Sequence, residues 1–384
     1  MNVNDLMGFS IDDARYRQLI ALMRGASESV ALGDADWDAL VALAERERVA
    51  PLLYDALKHN SLVLPDRARQ RLARAYHHTL ASNLRKFDVV KRVLERFNAA
   101  GIPVIVLKGI ALAEFVYGKI GARPMADIDL LVKIEDAERA VALLLRDGFR
   151  EGGKPELRPG FDREFRVEKE LLSPNPASQM VEVHWRLTAP LFASRFVNYD
   201  QVWARATPVE IEQQKTLVLS AEDWLLHQAA HAVYKHRHIG LLDLMDAHQL
   251  VLHFGARLNW DAVLQIGAQC LWLPALAVML DRAAAILGTP VPMHALERAR
   301  AFQLAGLDRR LMAWWLTPGR PERHHIIPDW IVAPSVAARA RFIGAYLFPS
   351  RAYLRATFKS NSTARLGWLD LARWWREAGF ARHR

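Results

Sequence analysis

Two aspartates two positions apart, Asp127 and Asp129, constrain this chain more than any other feature of its sequence. They sit in PVIVLKGIALAEFVYGKIGARPMADIDLLVK, residues 103–133. The stretch reads as a strand (Pro103–Leu107), a turn at Lys108-Gly109, a helix of two to three turns, and a second strand carrying Asp127-Ile128-Asp129. Alternate side chains of a strand share a face, so both carboxylates point one way and Ile128 and Leu130 the other. Neighbouring carboxylates repel, and a cation between them relieves the cost. Hard oxygen ligands at this spacing suit Mg²⁺. A glycine-containing turn that opens a helix offers backbone N–H groups to an anion. A metal-binding acid pair beside an anion turn outlines a phosphoryl or nucleotidyl transfer site.

Further residues fit that outline. Gln179–Leu187 reads as a strand in which Val181 and Val183 alternate with Glu182 and His184. Glu182 is the candidate third metal ligand, and His184, on the same face, a candidate contact to phosphate or acceptor. Lys108 is a candidate point charge on a phosphate. Gly109 would allow close backbone approach. Arg123 is a candidate clamp on the nucleotide. A surface or merely structural role is the competing reading for each.

LKG at 107–109, ARPMADIDLLV at 122–132 and VEVHWRL at 181–187 together resemble the uncharacterised bacterial nucleotidyltransferase family of the polymerase-beta superfamily. The likeness covers roughly residues 100–190 and, more loosely, the helical region to about 360. It implies an α+β fold: a small mixed β-sheet nucleotidyltransferase core flanked by N-terminal and C-terminal helical regions. It also implies that Asp127, Asp129 and Glu182 are the metal-binding catalytic acids, and that Lys108, Gly109, Arg123 and His184 serve the nucleotide. The implied cofactor is Mg²⁺, and the implied partners are a nucleoside triphosphate and a peptide, sugar or small-molecule acceptor. The sequence departs from the superfamily at the turn, which is commonly Gly-Ser and close to the first acid. Here the turn is Lys108-Gly109, and the acids lie 18 and 20 positions beyond Gly109.

The organisation expected around this core is helical. Residues 1–98 read as helices at Ile11–Met23, Asp36–Arg46, Pro51–His59 and Asp66–Phe97, a cap without chemistry of its own. The core spans 99–190, with a helix at Ile134–Arg146 and, inside a mixed stretch at 151–177, a possible strand at Phe161–Leu172. A helical domain follows at 191–335, and a basic helical segment at 336–384 closes the chain. The one cysteine, Cys270, excludes an internal disulfide and suits a reducing cytoplasm. The N-terminus lacks the apolar core of a signal peptide. The longest apolar run, Cys270–Leu280, falls short of the about 20 residues that span a bilayer.

His227 and His231 share a helix face, with His236, His238, Asp243 and Asp246 nearby. A metal site of firm spacing is missing, so a polar seam between helical domain and cleft is the favoured reading. From Arg339 onward there are ten Arg or Lys against two acids, which holds most of the net charge of +9. Trp368, Trp374 and Trp375 lie among Arg365, Arg373 and Arg376. Nucleic acid or a membrane surface could meet such a segment. A helix docking its aromatic side while its arginines face water is favoured. The sequence therefore supports a metal-dependent nucleotidyltransferase. The alternatives are a non-catalytic binding or scaffold protein on the same fold, or a nucleic-acid-modifying transferase.

Overall fold

Asp127 and Asp129 open a five-residue strand in the middle of a seven-stranded mixed sheet. The computed structural model describes residues 14–24, 33–58, 62, 64–174, 179–317, 326–358 and 367–377. In chain order the strands are β1 (Ile105–Val106), β2 (Asp127–Leu131), β3 (Arg150–Glu151), β4 (Glu168–Leu172), β5 (Met180–His184), β6 (Thr207–Ile211) and β7 (Gln214–Val218). They lie side by side in the order β3-β4-β5-β2-β1-β7-β6. β2 runs parallel to β5 and antiparallel to β1, and β4 runs antiparallel to β5. The fold is α+β, with helices flanking the sheet on both sides in sequence.

One set of alternating positions on the central strands, Ile128, Leu130, Val181 and Val183, is wholly buried. Four such side chains each remove about 1.5–3 kcal/mol worth of apolar surface from water, and this fixes the register. A one-residue slip would exchange them with the acids across the two faces of the sheet. The helix Asp66–Ala99 packs against β2, β7 and the helix Ala137–Arg146. Its buried stripe carries Phe87, Val90, Leu94 and Phe97 in the C-terminal half. The main core runs without a break from Tyr16 to Leu316, so the N-terminal helices, the sheet and the later helical bundle share one apolar interior.

Two stretches differ from the sequence expectation. Phe161–Leu172 is a short helix, Phe161–Phe165, followed by β4. Gly160 in the left-handed region (φ +79°) opens that helix, and the four-residue spacing carries Phe161 and Phe165 together onto Phe342. The second is the hairpin β6–β7, which lies inside the stretch expected to be helical and pairs with β1. Its turn residues Glu212 and Gln213 both take positive φ (49° and 64°), the form two-residue hairpins favour. That turn is commonly Asn-Gly, so Glu-Gln gave no signal.

The C-terminal helices Ile326–Val332, Val336–Leu347, Arg351–Phe358 and Gly367–Glu377 follow. Phe342 and Tyr346 build a second apolar cluster with Leu157, Phe161 and Phe165. The Trp374 and Trp375 indoles donate to the Tyr346 and Leu347 carbonyls at 2.7 and 2.5 Å. Arg373 lies over the Phe358 ring, and Arg376 is exposed. Arg365 and the Trp368 side chain lie outside the described residues. Among the described residues no helix is long and apolar enough to cross a membrane. Phe342→Ala should cost about 3–5 kcal/mol by urea denaturation, because it opens a cavity among three aromatic rings. A loss below about 1 kcal/mol would show that this cluster does not hold the C-terminal helices down.

Candidate active site

The parallel pairing of β2 with β5 sets Asp129 directly opposite Glu182, and Leu131 opposite His184. Asp127, Asp129, Glu182 and His184 therefore share one face, opposite to the Val181 and Val183 positions. The register of β4 extends the row, with Glu170 facing Glu182 and Glu168 facing His184. Asp129 is 1% exposed, His184 1% and Glu182 9%. So many acids in one buried place demand positive charge.

The protein supplies three cations. Lys108 Nζ donates to Asp129 Oδ1 at 2.6 Å. His184 Nε2 lies 2.9 Å from Asp129 Oδ1 and 3.1 Å from Glu182 Oε2, so it bridges the two acids. Its Nδ1 is 3.2 Å from Glu168 Oε2. Lys235 Nζ reaches Glu168 at 2.8 and 2.9 Å and Glu182 Oε2 at 3.3 Å. Burial alone would depress the His184 imidazole. The Glu168 charge and the bonds to Asp129 and Glu182 outweigh it and raise His184 to about 9. Burial likewise works against an ionised Asp129, but Lys108 and His184 hold it well below the usual carboxylate range. Glu182 is lowered too, burial being offset by His184 and Lys235. Asp127 is the exception, raised by burial and by the Asp129 charge.

Asp129, Glu182 and His184 each offer a ligand atom within 4.8 Å of the others, and so do Glu168, Glu170 and Glu182. Asp129 Oδ2 is buried with no hydrogen-bond partner. A buried carboxylate oxygen left unpaired is costly, and a divalent cation would satisfy it. Beside the cluster lies a cavity of about 490 Å³ whose lining includes Arg166, Glu168, Glu170, Lys235, His236 and Tyr353.

Gly109 and Arg123 take other places than expected. Gly109 is buried, and a side chain there would meet Met125 Cβ at 2.8 Å and Arg123 Nη1 at 3.3 Å. The close approach it permits is thus of protein on protein. Lys108, not Gly109, takes the left-handed conformation, at φ +42°. Arg123 is no free clamp. Its Nε and Nη2 donate to Asp246 Oδ1 and Oδ2 at 2.8 and 2.7 Å, and Nη1 donates to the Pro124 carbonyl. Tyr117 donates to the same aspartate at 2.8 Å. This buried fork ties the loop before β2 to the helix Leu241–Phe254.

The histidine seam forms without becoming a metal cluster among the described residues. His227 Nε2 donates to the Leu187 carbonyl at 2.8 Å, and the His231 ring stacks edge-on against His236 at 4.5 Å. Asp243 caps its own helix by accepting from the Gly240 N–H. Glu168 and Lys235 are the site residues that sequence reasoning missed. Glu168 and Glu170 alternate as Glu182 and His184 do, but a strand read over all of Phe161–Leu172 does not single them out. Lys235 lies 53 positions from Glu182, and nothing local marks it.

Removing one partner of the buried Arg123–Asp246 pair should cost about 3–5 kcal/mol, while Arg123→Met with Asp246→Leu should cost far less than the sum. A double-mutant cycle by urea denaturation reads this directly. A stable Arg123→Met that only loses nucleotide binding would contradict the structural assignment. Burial also drives His227 to about 3. It stays neutral in the folded protein, while the unfolded chain takes up a proton below about pH 6.5. Its contribution is therefore full above that pH and falls by about 1.4 kcal/mol per pH unit as pH drops toward 4. Urea midpoints for wild type and His227→Gln should converge at low pH. Parallel curves would contradict it.

Residues 33–288 match the family described as uncharacterised nucleotidyltransferase. No curated protein matches the chain. Among solved structures, it is similar to an antigenic nucleotidyltransferase-like protein from Paracoccidioides brasiliensis, at 17% identity and a TM-score of 0.36. That similarity covers 55% of this chain and 95% of the other. The family match takes in the whole acid cluster, from Lys108 through Glu182 to Lys235, and on it the chain belongs to the uncharacterised nucleotidyltransferase family.

Proposed function

We propose that this protein is a Mg²⁺-dependent nucleotidyltransferase that moves a nucleoside monophosphate from a triphosphate to an acceptor hydroxyl, releasing pyrophosphate. One observation carries the reading: Asp129 and Glu182 are neighbours on parallel strands, with Asp127 on the same face and Asp129 Oδ2 unsatisfied. Asp127, Asp129 and Glu182 would hold the metal. Bound there, Mg²⁺ supplies positive charge to the reacting phosphate and to the leaving pyrophosphate.

The chain's own groups do the rest by position and charge. Lys108 Nζ, beside Asp129, lends a point charge to a phosphate oxygen. His184 and Lys235 keep Glu182 ionised and hold its Oε2, which leaves Oε1 as the oxygen it would offer the metal, and the acceptor's proton passes to water. The 490 Å³ cavity next to Glu168 and Lys235 is large enough for a small polar acceptor such as a sugar or peptide end. Nucleic acid is disfavoured as acceptor, because Trp374 and Trp375 are tied to the body of the protein rather than open for base stacking.

A second reading, a binding protein without turnover, is favoured by the cations Lys108 and His184, which already neutralise Asp129. Pyrophosphate release separates the two. With Mg²⁺ and a triphosphate mixture, Asp127→Asn and Asp129→Asn should each lose about 100-fold or more, and chelation should abolish the rate. Equal turnover in wild type and both variants would sink the enzymatic reading.

A further inference from the structure

The long N-terminal helix Asp66–Ala99 carries a lysine where its pattern calls for an apolar residue. Its buried stripe runs Thr79, Asn83, Lys86, Val90, Val93 and Phe97, at three- and four-residue steps. The stripe is apolar from Phe87 to Phe97 and again at Ala68 and Leu72, and polar only over the middle turns from Thr79 to Lys86. Asn83, 0% exposed, donates to the Ile120 and Arg123 carbonyls at 2.6 and 2.8 Å and so pins the loop that leads into β2. Lys86 follows one turn later.

Lys86 is 3% exposed. Its Nζ donates to Ser82 Oγ at 3.0 Å, and no carboxylate lies within ion-pair distance of it among the described residues. An ammonium has three donors, and leaving it buried without a counter-charge is expensive. The helix packs on β2, whose first residue, Asp127, is likewise without an ion-pair partner among the described residues. An anion held beside Asp127 by a metal would supply the counter-charge that Lys86 lacks.

We infer that Lys86 binds the polyphosphate tail of the incoming nucleotide, so that the N-terminal helical region forms one wall of the nucleotide site. This rests on the nucleotidyltransferase reading above and adds a contact from outside the sheet. A lysine is a compact point charge that suits a phosphate oxygen, and helix pinning by Asn83 holds it at a fixed distance from β2. The helix is thereby more than a cap, and its two polar positions have one purpose each: Asn83 sets the loop and Lys86 meets the ligand.

The probe is inorganic tripolyphosphate with Mg²⁺, which has the tail and no base, followed by calorimetry on the full chain. Loss of a charge-assisted bond should weaken binding about ten- to hundredfold in Lys86→Met, while Lys86→Arg should stay within about threefold of wild type. Thermal melting without ligand should hold steady or rise in Lys86→Met, since the change removes an unpaired buried charge. Unchanged tripolyphosphate affinity in Lys86→Met would overturn the inference. So would a wild type that binds a nucleoside triphosphate with Mg²⁺ but ignores tripolyphosphate. Those outcomes leave the pyrophosphate-release test of Asp127 and Asp129 standing, so the two claims fail separately.

Discussion

Everything around the site follows from two carboxylates, on Asp129 and Glu182, being set next to each other by parallel strand pairing. Their mutual repulsion at that range costs several kcal/mol in a buried setting unless positive charge intervenes. The chain answers with Lys108 from the turn after β1, His184 from β5 and Lys235 from the helical bundle. Three separate parts of the sequence thus converge on one pair of acids. The apolar positions Ile128, Leu130, Val181 and Val183 make the arrangement hold, because they lock the register that aims the acids the other way.

The surroundings keep that geometry stiff. The Arg123–Asp246 fork, backed by Tyr117, ties the loop before β2 to the helical bundle. Asn83 ties the same loop to the N-terminal helix. The entry to β2 is therefore held from both sides, and its first residue is Asp127. A transfer reaction that relies on position and charge needs such stiffness, since a misplacement of about 1 Å can cost about 100-fold in rate.

Much of this was legible in the sequence, and the reasons are specific. Period-two alternation announced Asp127 with Asp129 and Glu182 with His184, because strand geometry alone dictates which residues share a face. Apolar spacing gave the helices Asp34–Arg46, Asp66–Ala99 and Ala137–Arg146 to within a few residues. Partners distant in sequence were not legible. Arg123 looked like a free clamp because nothing local discloses Asp246, 123 positions away. Gly109 looked like a phosphate turn because sequence does not show Met125 folded against it. The hairpin β6–β7 was hidden by a turn made without glycine or asparagine. Lys86 leaves a trace, a charge at a stripe position of a helix that otherwise reads as a cap.

The central claim is that Asp127, Asp129 and Glu182 are a seat for a divalent cation that the Lys108 and His184 contacts stand in for. A crystal soaked with Mn²⁺ and a non-hydrolysable nucleoside triphosphate tests it most directly, through the anomalous signal of the metal. The account predicts a peak between those three carboxylates, with Lys108 Nζ drawn off Asp129 Oδ1 toward phosphate. A bound nucleotide with no peak there, and Lys108 still at 2.6 Å from Asp129, would contradict it.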